Sequence, residues 1–199
     1  MIVTNANEAR PRSLRERKRL AAMKRVQTEA VARFTADGFD HVTVEEIAAA
    51  VEVSAMSVYR WFGTKEALVL WDEFDPPILA ELAVRLARQP ALPAVRDTMV
   101  ALLDDVYDRE RALALDRAQL IFREPALAAA AEQDSRKLRD AFSDLFVTRG
   151  GLKEFEARVS AAVASALLTA AIDEWQRHDG TRPLAELITC SFAVLEGDR

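Results

Sequence analysis

The spacing of glycine and proline is the strongest constraint on the fold of this chain. Only 6 glycines and 7 prolines occur in 199 residues. They divide the sequence into segments rich in alanine, leucine and charged side chains, with breaks at Gly38, Gly63, Gly150-Gly151 and Gly180. Because glycine and proline interrupt helices, such segments predict helices of ordinary length. No run of alternating β-branched residues predicts a strand, so we expect an all-α fold.

Local signals predict where these helices begin and end. Thr43 and Glu46 form a capping-box pattern, and Ser54 and Thr64 are suited to the N-cap position. The pair Pro76-Pro77 is expected to break or kink the fourth helix. The predicted helices lie at about 13–36, 43–51, 55–61, 65 to the proline pair, 93–108, around 113–121, 125–148, 153–177 and 183–196.

The net charge of −5 conceals an asymmetry. Residues 1–36 hold nine basic and three acidic side chains, a net +6, which leaves −11 on the remainder. Residues 1–12 read as a flexible basic arm. A basic N-terminal segment followed by an acidic remainder suggests that the N-terminal segment binds a polyanion. The alternative is a solvated, arginine-rich helix face.

Catalytic and metal-binding signals are poor. The single cysteine, Cys190, excludes an intrachain disulfide framework and multi-cysteine metal clusters, and we expect it to be a small buried residue. Glu174 and His178 have i, i+4 spacing, but without a third ligand nearby they indicate a solvated helix end. No nucleophile motif or phosphate-binding glycine loop occurs. We therefore predict a protein that is not an enzyme and that has no cofactor.

The hydropathy pattern argues against a membrane protein. The longest stretch without charge runs from Val159 to Ile172, 14 residues, which is short of the ~20 needed to cross a bilayer. Polar residues follow Met1-Ile2-Val3 at once, so the start of the chain lacks a secretory apolar region. We expect a cytoplasmic protein with no membrane partner.

Two short helices joined by a tight turn, behind a long basic helix, match the pattern of a helix-turn-helix. In that motif the second helix enters the major groove of DNA. Its outward residues would be Ala55, Met56, Ser57 and Arg60, whereas Val58 and Phe62 would face the core. An ordinary corner of a helical bundle has the same spacing and remains the alternative.

One run of residues over about 20–70 is specific in both order and spacing: Phe34-x3-Gly38-Phe39, Thr43-Val44-x2-Ile47-Ala48, Val53-Ser54-x3-Val58-Tyr59-x2-Phe62 and Lys65-Glu66-Ala67-Leu68. This run resembles the DNA-binding domain of the TetR family of transcriptional regulators. The resemblance implies a helix-turn-helix domain over 13–64 and an effector-binding and dimerisation domain over 65–199. The stretch from Arg117 to Pro125, with its alanine-rich continuation, is similar to the mycofactocin-type regulators.

The resemblance also implies roles for individual residues. Phosphate contacts fall to Thr43, Ser54, Tyr59 and Lys65, and base-reading positions to Ala55, Met56, Ser57 and Arg60. Small hydroxyls at helix N-termini and a lysine suit phosphate oxygens, and an arginine suits guanine edges.

Three positions depart from the usual pattern of the family. Glu52 stands where the turn usually has glycine, Met56-Ser57 replaces Gly-Thr, and Trp61 replaces a histidine or similar residue. We expect these changes to alter the operator sequence rather than abolish binding.

The second half is expected to bind a small hydrophobic effector. Arg117 and Arg123 are two steps of three apart, so they can share a face. They would either anchor an anionic group or pair with acids such as Asp116 and Glu124. Any single aromatic residue is more often plain core than ligand wall. The candidate ligand-binding residues are Trp71, Phe74, Tyr107, Arg117, Phe122, Phe142, Phe146 and Trp175.

The last two helices predict a homodimer interface. The helix over 153–177 is rich in small residues, which let helices approach closely, and both helices carry leucine and isoleucine. Together they can pair with a second copy as a four-helix bundle. Burial inside one protomer is the alternative. The candidate interface residues are Leu167, Leu168, Ile172, Leu184, Leu187, Ile188 and Leu195.

These patterns together predict a homodimeric repressor that binds double-stranded operator DNA and is released by a small ligand. The alternative from another class is a helical small-molecule-binding protein or enzyme with an incidental basic helix. A third reading is a regulator that takes no ligand. Salt-dependent, sequence-selective DNA binding separates the regulator from the carrier.

Overall fold

The computed structural model describes residues 13–72 and 75–197, and the predicted arm over 1–12 lies outside them. The secondary structure of the described residues is helical, as the all-α prediction requires. The helices are α1 (Leu14–Asp37), α2 (Val44–Ala50), α3 (Ala55–Phe62), α4 (Ala67–Leu70), α5 (Asp75–Arg85), α6 (Ala91–Arg123), α7 (Pro125–Thr148), α8 (Glu154–Arg177) and α9 (Leu184–Glu196).

The helix boundaries follow local capping signals. Ser13 and Glu16 form a capping box at the start of α1, and Gly38, with φ of 89°, ends that helix. Pro125 occupies the first turn of α7, where a residue without an N–H removes no hydrogen bond. These starts agree with the sequence prediction to within about two residues, which is the ordinary scatter of helix ends.

One predicted boundary is wrong. The fourth helix ends at Leu70, before the proline pair, and Pro76 and Pro77 lie in the first turn of α5. Proline suits that turn because its first N–H groups have no intrahelical partner. The two helices predicted over 93–121 meet within α6 at a kink, where Glu110 has non-helical φ and ψ of −124° and 17°. The predicted junction between these two helices is therefore confirmed.

Two hydrophobic cores support the chain. The smaller core joins α1–α4 with Leu120 of α6 and Leu127 of α7, and it buries Phe34, Phe39 and Ile47. The larger core joins α5–α9. Leu120 and Leu127 therefore connect the N-terminal helices to the rest of the protein. Helix α3 belongs to the N-terminal group through the buried Val58.

Helix α8 is long and apolar enough to cross a bilayer by length and composition alone. One face of it is buried in the larger core through Ala157, Ala161, Ala164, Leu168, Ala171 and Trp175. A buried helix of a globular core passes the same hydropathy test, so α8 is accounted for by its packing against α7 and α9. The prediction that Cys190 is buried is wrong, because this residue is exposed on α9.

Candidate nucleic-acid interface

Helix α2 is fixed at its start by a complete capping box. The Thr43 hydroxyl accepts a 3.2 Å hydrogen bond from the Glu46 N–H, and the Glu46 carboxylate accepts from the Thr43 N–H at 2.8 Å. These bonds from Thr43 hold the pKa of Glu46 below its usual value. The first turn of α2 is therefore rigid, with an exposed threonine at the end of a helix, a position suited to a phosphate oxygen.

The turn between α2 and α3 closes on backbone hydrogen bonds. The Val53 N–H donates to the Ala48 carbonyl at 2.9 Å, and the Glu52 N–H donates to the Ala49 carbonyl at 3.2 Å. Glu52 adopts φ of 57°, a left-handed conformation that strains a side chain with a β-carbon. Glu52, which stands where the family usually has glycine, therefore adopts the left-handed backbone of this turn at the cost of strain.

Helix α3 presents one buried and one open face. Ser54 caps it by accepting from the Ser57 N–H at 3.2 Å, and the two hydroxyls lie 2.9 Å apart. Val58 is buried in the smaller core, while the Met56 side chain is 77% exposed. Arg60 is exposed and donates to the Ser57 hydroxyl at 3.3 Å. The open face therefore carries the residue types that read base edges.

Two further predicted phosphate contacts are held by their neighbours. Tyr59 is 46% exposed, and its hydroxyl donates to Glu45 at 3.3 Å. Partial burial and the neighbouring Glu45 raise the pKa of Tyr59, so the phenol keeps its proton as a donor. The Lys65 ammonium lies 4.5 Å from the centre of the Phe39 ring, a cation–π contact that holds it in place.

Helix α3 borders a basic cleft that was not predicted from the sequence. Its volume is about 920 Å³, and Arg60 and Trp61 of α3 line it together with Trp71. Side chains of α1 complete the cleft. From the sequence they contributed only to the net positive charge of residues 1–36. They lie on one face of α1, at Arg15, Lys18, Arg19, Leu20 and Met23.

The predicted ligand-binding aromatics whose side chains the structure describes do not form one site. Phe142, Phe146 and Trp175 fill the larger core and are almost completely buried. Phe122 is 41% exposed on α6, so it does not belong to that interior cluster. Trp71 lies at the junction of α4 with α1, where it lines the basic cleft. Phe74 and the side chain of Tyr107 lie outside the described residues.

The two candidate arginines on α6 are both paired. Arg117 donates to the Val69 and Trp71 carbonyls at 2.9 and 3.2 Å, which turns it toward α4. Arg123 forms an exposed ion pair with Glu124 at 3.2 Å. Pairing with an acid, the alternative left open by the sequence, therefore describes Arg123, and it also applies to Arg117, which lies 3.8 Å from the Asp72 carboxylate in addition to its bonds to the two carbonyls.

A groove between α5 and α6 offers a different apolar surface. Its volume is about 890 Å³, and alanine, valine and leucine side chains line it. The charged lining residues are Arg88, Arg149 and Glu81, and Glu81 is paired with Arg85 at 2.9 Å. Volumes of this order are typical of small-molecule sites. None of its residues was predicted from the sequence to bind a ligand. The apolar lining comprises Pro77, Ala80, Ala83, Val84, Ala87, Ala101 and Leu102.

Most of the predicted interface residues pack inside the protomer. Leu168, Leu184, Leu187 and Ile188 are buried in the larger core, and Leu167 and Ile172 pack against it. The four buried side chains are therefore corrected to core residues, whereas Leu167 and Ile172 are part-buried and stay predictions. Leu195 alone of the set is well exposed, at 52%. The exposed faces of α8 and α9 carry other residues, among them Val159, Ala162, Ala166, Thr169, Cys190 and Val194.

The titratable residues of the described segments do not form a metal site. No group of three or more His, Cys, Asp or Glu residues in this part of the chain is arranged to hold a metal ion. His178 pairs with Glu174 at 3.2 Å on the exposed end of α8.

Comparisons with known proteins agree with this geometry. Residues 27–70 match the model for bacterial regulatory proteins of the tetR family, and residues 89–198 match the MftR C-terminal domain. The transcriptional regulator TcmR of Streptomyces glaucescens is 32% identical over 172 residues, which cover 81% of this chain and 76% of TcmR.

Solved structures share the fold. The SmeT–triclosan complex superposes with a TM-score of 0.59 at 16% identity, covering 87% of this chain and 91% of SmeT. FadR of Thermus thermophilus, in complex with lauroyl-CoA, has a TM-score of 0.51 at 22% identity, covering 87% of this chain and 92% of FadR. With both of its parts matched, the chain belongs to the TetR family of transcriptional regulators, close to the MftR type.

Proposed function

We propose that this regulator is a homodimer that binds an operator through α3 and leaves it when a small hydrophobic ligand binds. The observation that carries the DNA-binding part is the open face of α3, where Met56 and Arg60 are exposed on a helix whose other face is buried. Thr43, Ser54, Tyr59 and Lys65 border this face, so they are the proposed phosphate contacts. Ala55, Met56, Ser57 and Arg60 are the proposed base contacts.

The proposed domain boundary lies near residue 64. The helices before it pack into the smaller core, and those from α5 onward pack into the larger core. Helix α4 and residues Leu120 and Leu127 connect the two. Residues 13–64 thus serve as the DNA-binding domain and 65–199 as the effector and dimerisation domain.

Dimerisation is proposed to use the exposed faces of α8 and α9. Helix α8 exposes small and apolar side chains at Val159, Ala162, Ala166 and Thr169. On α9 Val194 is 73% exposed, and Leu195 lies beside it. Two such helices from each copy can close a four-helix bundle with two-fold symmetry. That symmetry would place the two α3 helices on successive major grooves, roughly 34–36 Å apart.

The effector is proposed to bind in the groove between α5 and α6. Its alanine, valine and leucine lining suits a long or flat hydrophobic molecule, and Arg88 and Arg149 suit an acidic end group. Lauroyl-CoA in the FadR complex and triclosan in the SmeT complex are molecules of this hydrophobic kind. A ligand here would release DNA by binding better to the state in which the α3 helices no longer match the operator.

Selection of bound duplexes from a random pool tests the DNA-binding proposal. The expected result is a two-fold symmetric site, with affinity that falls linearly with the logarithm of salt concentration. Recovery of no preferred sequence would overturn it and would favour the helical carrier.

Titration with laurate and with methyl laurate tests the effector proposal. Laurate should bind more tightly because the ester lacks the charge that Arg88 and Arg149 would pair. Val84→Trp, which fills the groove without adding a charge, should weaken laurate binding, whereas Val147→Trp on the outside of α7 should not. Equal laurate affinity with and without operator would remove the release mechanism.

A further inference from the structure

The side chains of Gln27 and Arg117 donate hydrogen bonds to the same two backbone carbonyls. Gln27, on α1, donates to the Val69 carbonyl at 3.3 Å and to the Trp71 carbonyl at 2.7 Å. Arg117, on α6, donates to the Val69 carbonyl at 2.9 Å and to the Trp71 carbonyl at 3.2 Å. One side chain comes from the DNA-binding helices and the other from the effector domain. We call this arrangement the α4 clamp.

Helix α4 depends on these donors. It has four residues, so its carbonyls lack the intrahelical partners that a longer helix would provide. Val69 is completely buried, so water does not reach its carbonyl as a substitute partner, whereas Trp71 is half-buried. Gln27 is itself only 5% exposed, and buried amides require hydrogen-bond partners. The clamp therefore supplies hydrogen-bond donors to the Val69 and Trp71 carbonyls at the end of α4.

The clamp also joins α1 to α6 through shared atoms. Each carbonyl uses both of its lone pairs, one toward α1 and one toward α6. The bonds from Arg117 are charge-assisted and the stronger of the two sets, and Asp72 lies 3.8 Å from the same guanidinium. A shift of α6 relative to α1 would therefore stretch one set of bonds or the other.

We propose that Gln27 and Arg117 are positioning residues that set the half-site spacing which the dimer accepts. This rests on the proposed operator binding by a homodimer. The bases and phosphates of a half-site face α2, α3 and Lys65, none of which contributes a side chain to the clamp. The clamp instead fixes how each helix-turn-helix is attached to the domain that pairs with the second copy.

The matched variants follow from the geometry. Arg117→Met removes the donors and keeps an apolar stem, while Arg117→Lys keeps a charge that can reach a carbonyl. Gln27→Leu removes the contribution of α1. Arg123→Met is the control, since Arg123 is an exposed arginine on the same helix whose ion pair is with Glu124.

Binding is measured on the selected operator and on duplexes with one base pair added or removed between the half-sites, a shift of about 3.4 Å. The wild type should bind the altered duplexes roughly tenfold more weakly than the operator. Arg117→Met should reduce that preference to about threefold or less, Arg117→Lys should fall between, and Arg123→Met should match the wild type. Affinity for a duplex with a single half-site should not change in any variant.

The two variants of the clamp should not act independently. Gln27→Leu and Arg117→Met act on the same carbonyls, so their combined effect on spacing preference should differ from the product of the separate effects. Residues without shared partners would give a simple product.

A measurement without DNA tests the attachment directly. Spin labels at Ala49→Cys, an exposed position on α2, in a Cys190→Ser background report the distance between the two DNA-binding domains of a dimer. The distance distribution should be narrow in the wild type, broader in Arg117→Met and unchanged in Arg123→Met. Thermal unfolding identifies a variant that has lost its fold, in which case Arg117→Lys carries the comparison.

The failures are distinguishable. A wild type that binds no duplex selectively overturns the proposed function and this inference together. A wild type with a clear spacing preference, which Arg117→Met and Arg117→Lys retain in full with unbroadened distances, overturns the inference alone. A uniform loss of single half-site affinity in Arg117→Met would make the clamp a fold-stabilising contact, which also overturns the inference.

Discussion

The hydroxyl of Tyr59 on α3 donates a 3.3 Å hydrogen bond to the carboxylate of Glu45 on α2. The bond fixes the ring of Tyr59 beside the open face of α3, with its oxygen held by an acid. A phosphate that approaches this hydroxyl therefore meets a competing acceptor and a like charge. If Tyr59 contacts a phosphate as proposed, Glu45 both holds the hydroxyl in place and repels the DNA backbone.

Replacement of Glu45 by glutamine should strengthen DNA binding. The amide keeps an acceptor for Tyr59 and removes the negative charge, so affinity should rise about two- to fivefold at low salt on all sequences, and less at high salt. Fluorescence anisotropy of a labelled operator measures the change. Glu154→Gln, an exposed acid at the start of α8, is the control and should have no effect. A fall in affinity for Glu45→Gln would mean that the carboxylate itself is needed.

Arg60 and Lys65 should give different signatures on DNA. Arg60→Ala should relax discrimination at one base step and cost about 1–3 kcal/mol on the operator. Lys65→Ala should weaken binding evenly across sequences and lower the salt slope by about 1. Salt titrations on the operator and on a scrambled duplex separate the two effects. Unchanged operator affinity in both variants would contradict the assignment of α3 as the recognition helix.

The parts that sequence reasoning predicted correctly depend on neighbours in the chain. The capping box of Thr43 and Glu46 needs residues three apart, and the burial of Val58 beside an exposed Met56 follows from helical periodicity. Such signals are complete within one turn. The helices and the open face of α3 were therefore predictable.

The parts that failed depend on distant residues. The sequence left two roles open for Arg117, pairing with an acid or binding a ligand. The backbone carbonyls to which it donates lie 46 and 48 positions away in the chain, so the sequence did not indicate them. Leu187 lies on an apolar face, and periodicity does not distinguish burial against α6–α8 from burial against a second copy. The α5–α6 groove was not predicted, because its alanine and valine side chains form a groove only when the two helices lie side by side.

Replacement of Glu52 by glycine should stabilise the protein. Glu52 adopts φ of 57°, a conformation that disfavours any residue with a β-carbon, while glycine gains freedom in the unfolded chain. The net gain should be about 0.5–1 kcal/mol, measured by denaturant unfolding. Glu52→Ala keeps the β-carbon and should give no such gain. Equal stabilisation by both would assign the effect to the lost charge instead.

Acid should weaken the start of α2 through Glu46. Hydrogen bonds from the Thr43 N–H and hydroxyl lower the pKa of Glu46 below 4.5. A carboxyl with a lowered pKa in the folded state stabilises the fold at neutral pH, and that contribution is lost as pH falls through 4.5 to the folded pKa. Glu46→Gln should therefore show a flatter dependence of Tm on pH between about 6 and 3. Parallel curves for wild type and variant would show that the capping box does not couple to pH.

Charge on the exposed faces of α8 and α9 should separate the dimer without unfolding the protomer. Ala166 and Val194 are exposed, so Ala166→Glu or Val194→Glu leaves the larger core intact and places a charge where the second copy is proposed to pack. A charge buried at such a contact without a partner costs several kcal/mol. Light scattering should then report 22.1 kDa rather than twice that mass, with helical circular dichroism unchanged.

The same substitution inside the core should behave differently. Leu187 is buried within the protomer, so Leu187→Glu should lower Tm strongly and lead to aggregation, because its charge has no partner and no access to water. Val147→Glu, at a part-exposed position on α7, is the control for added charge and should remain a dimer. Because an operator with two half-sites needs both copies, Ala166→Glu should also reduce operator affinity to that of a single half-site. A dimer that survives both Ala166→Glu and Val194→Glu would place the interface elsewhere on the protein.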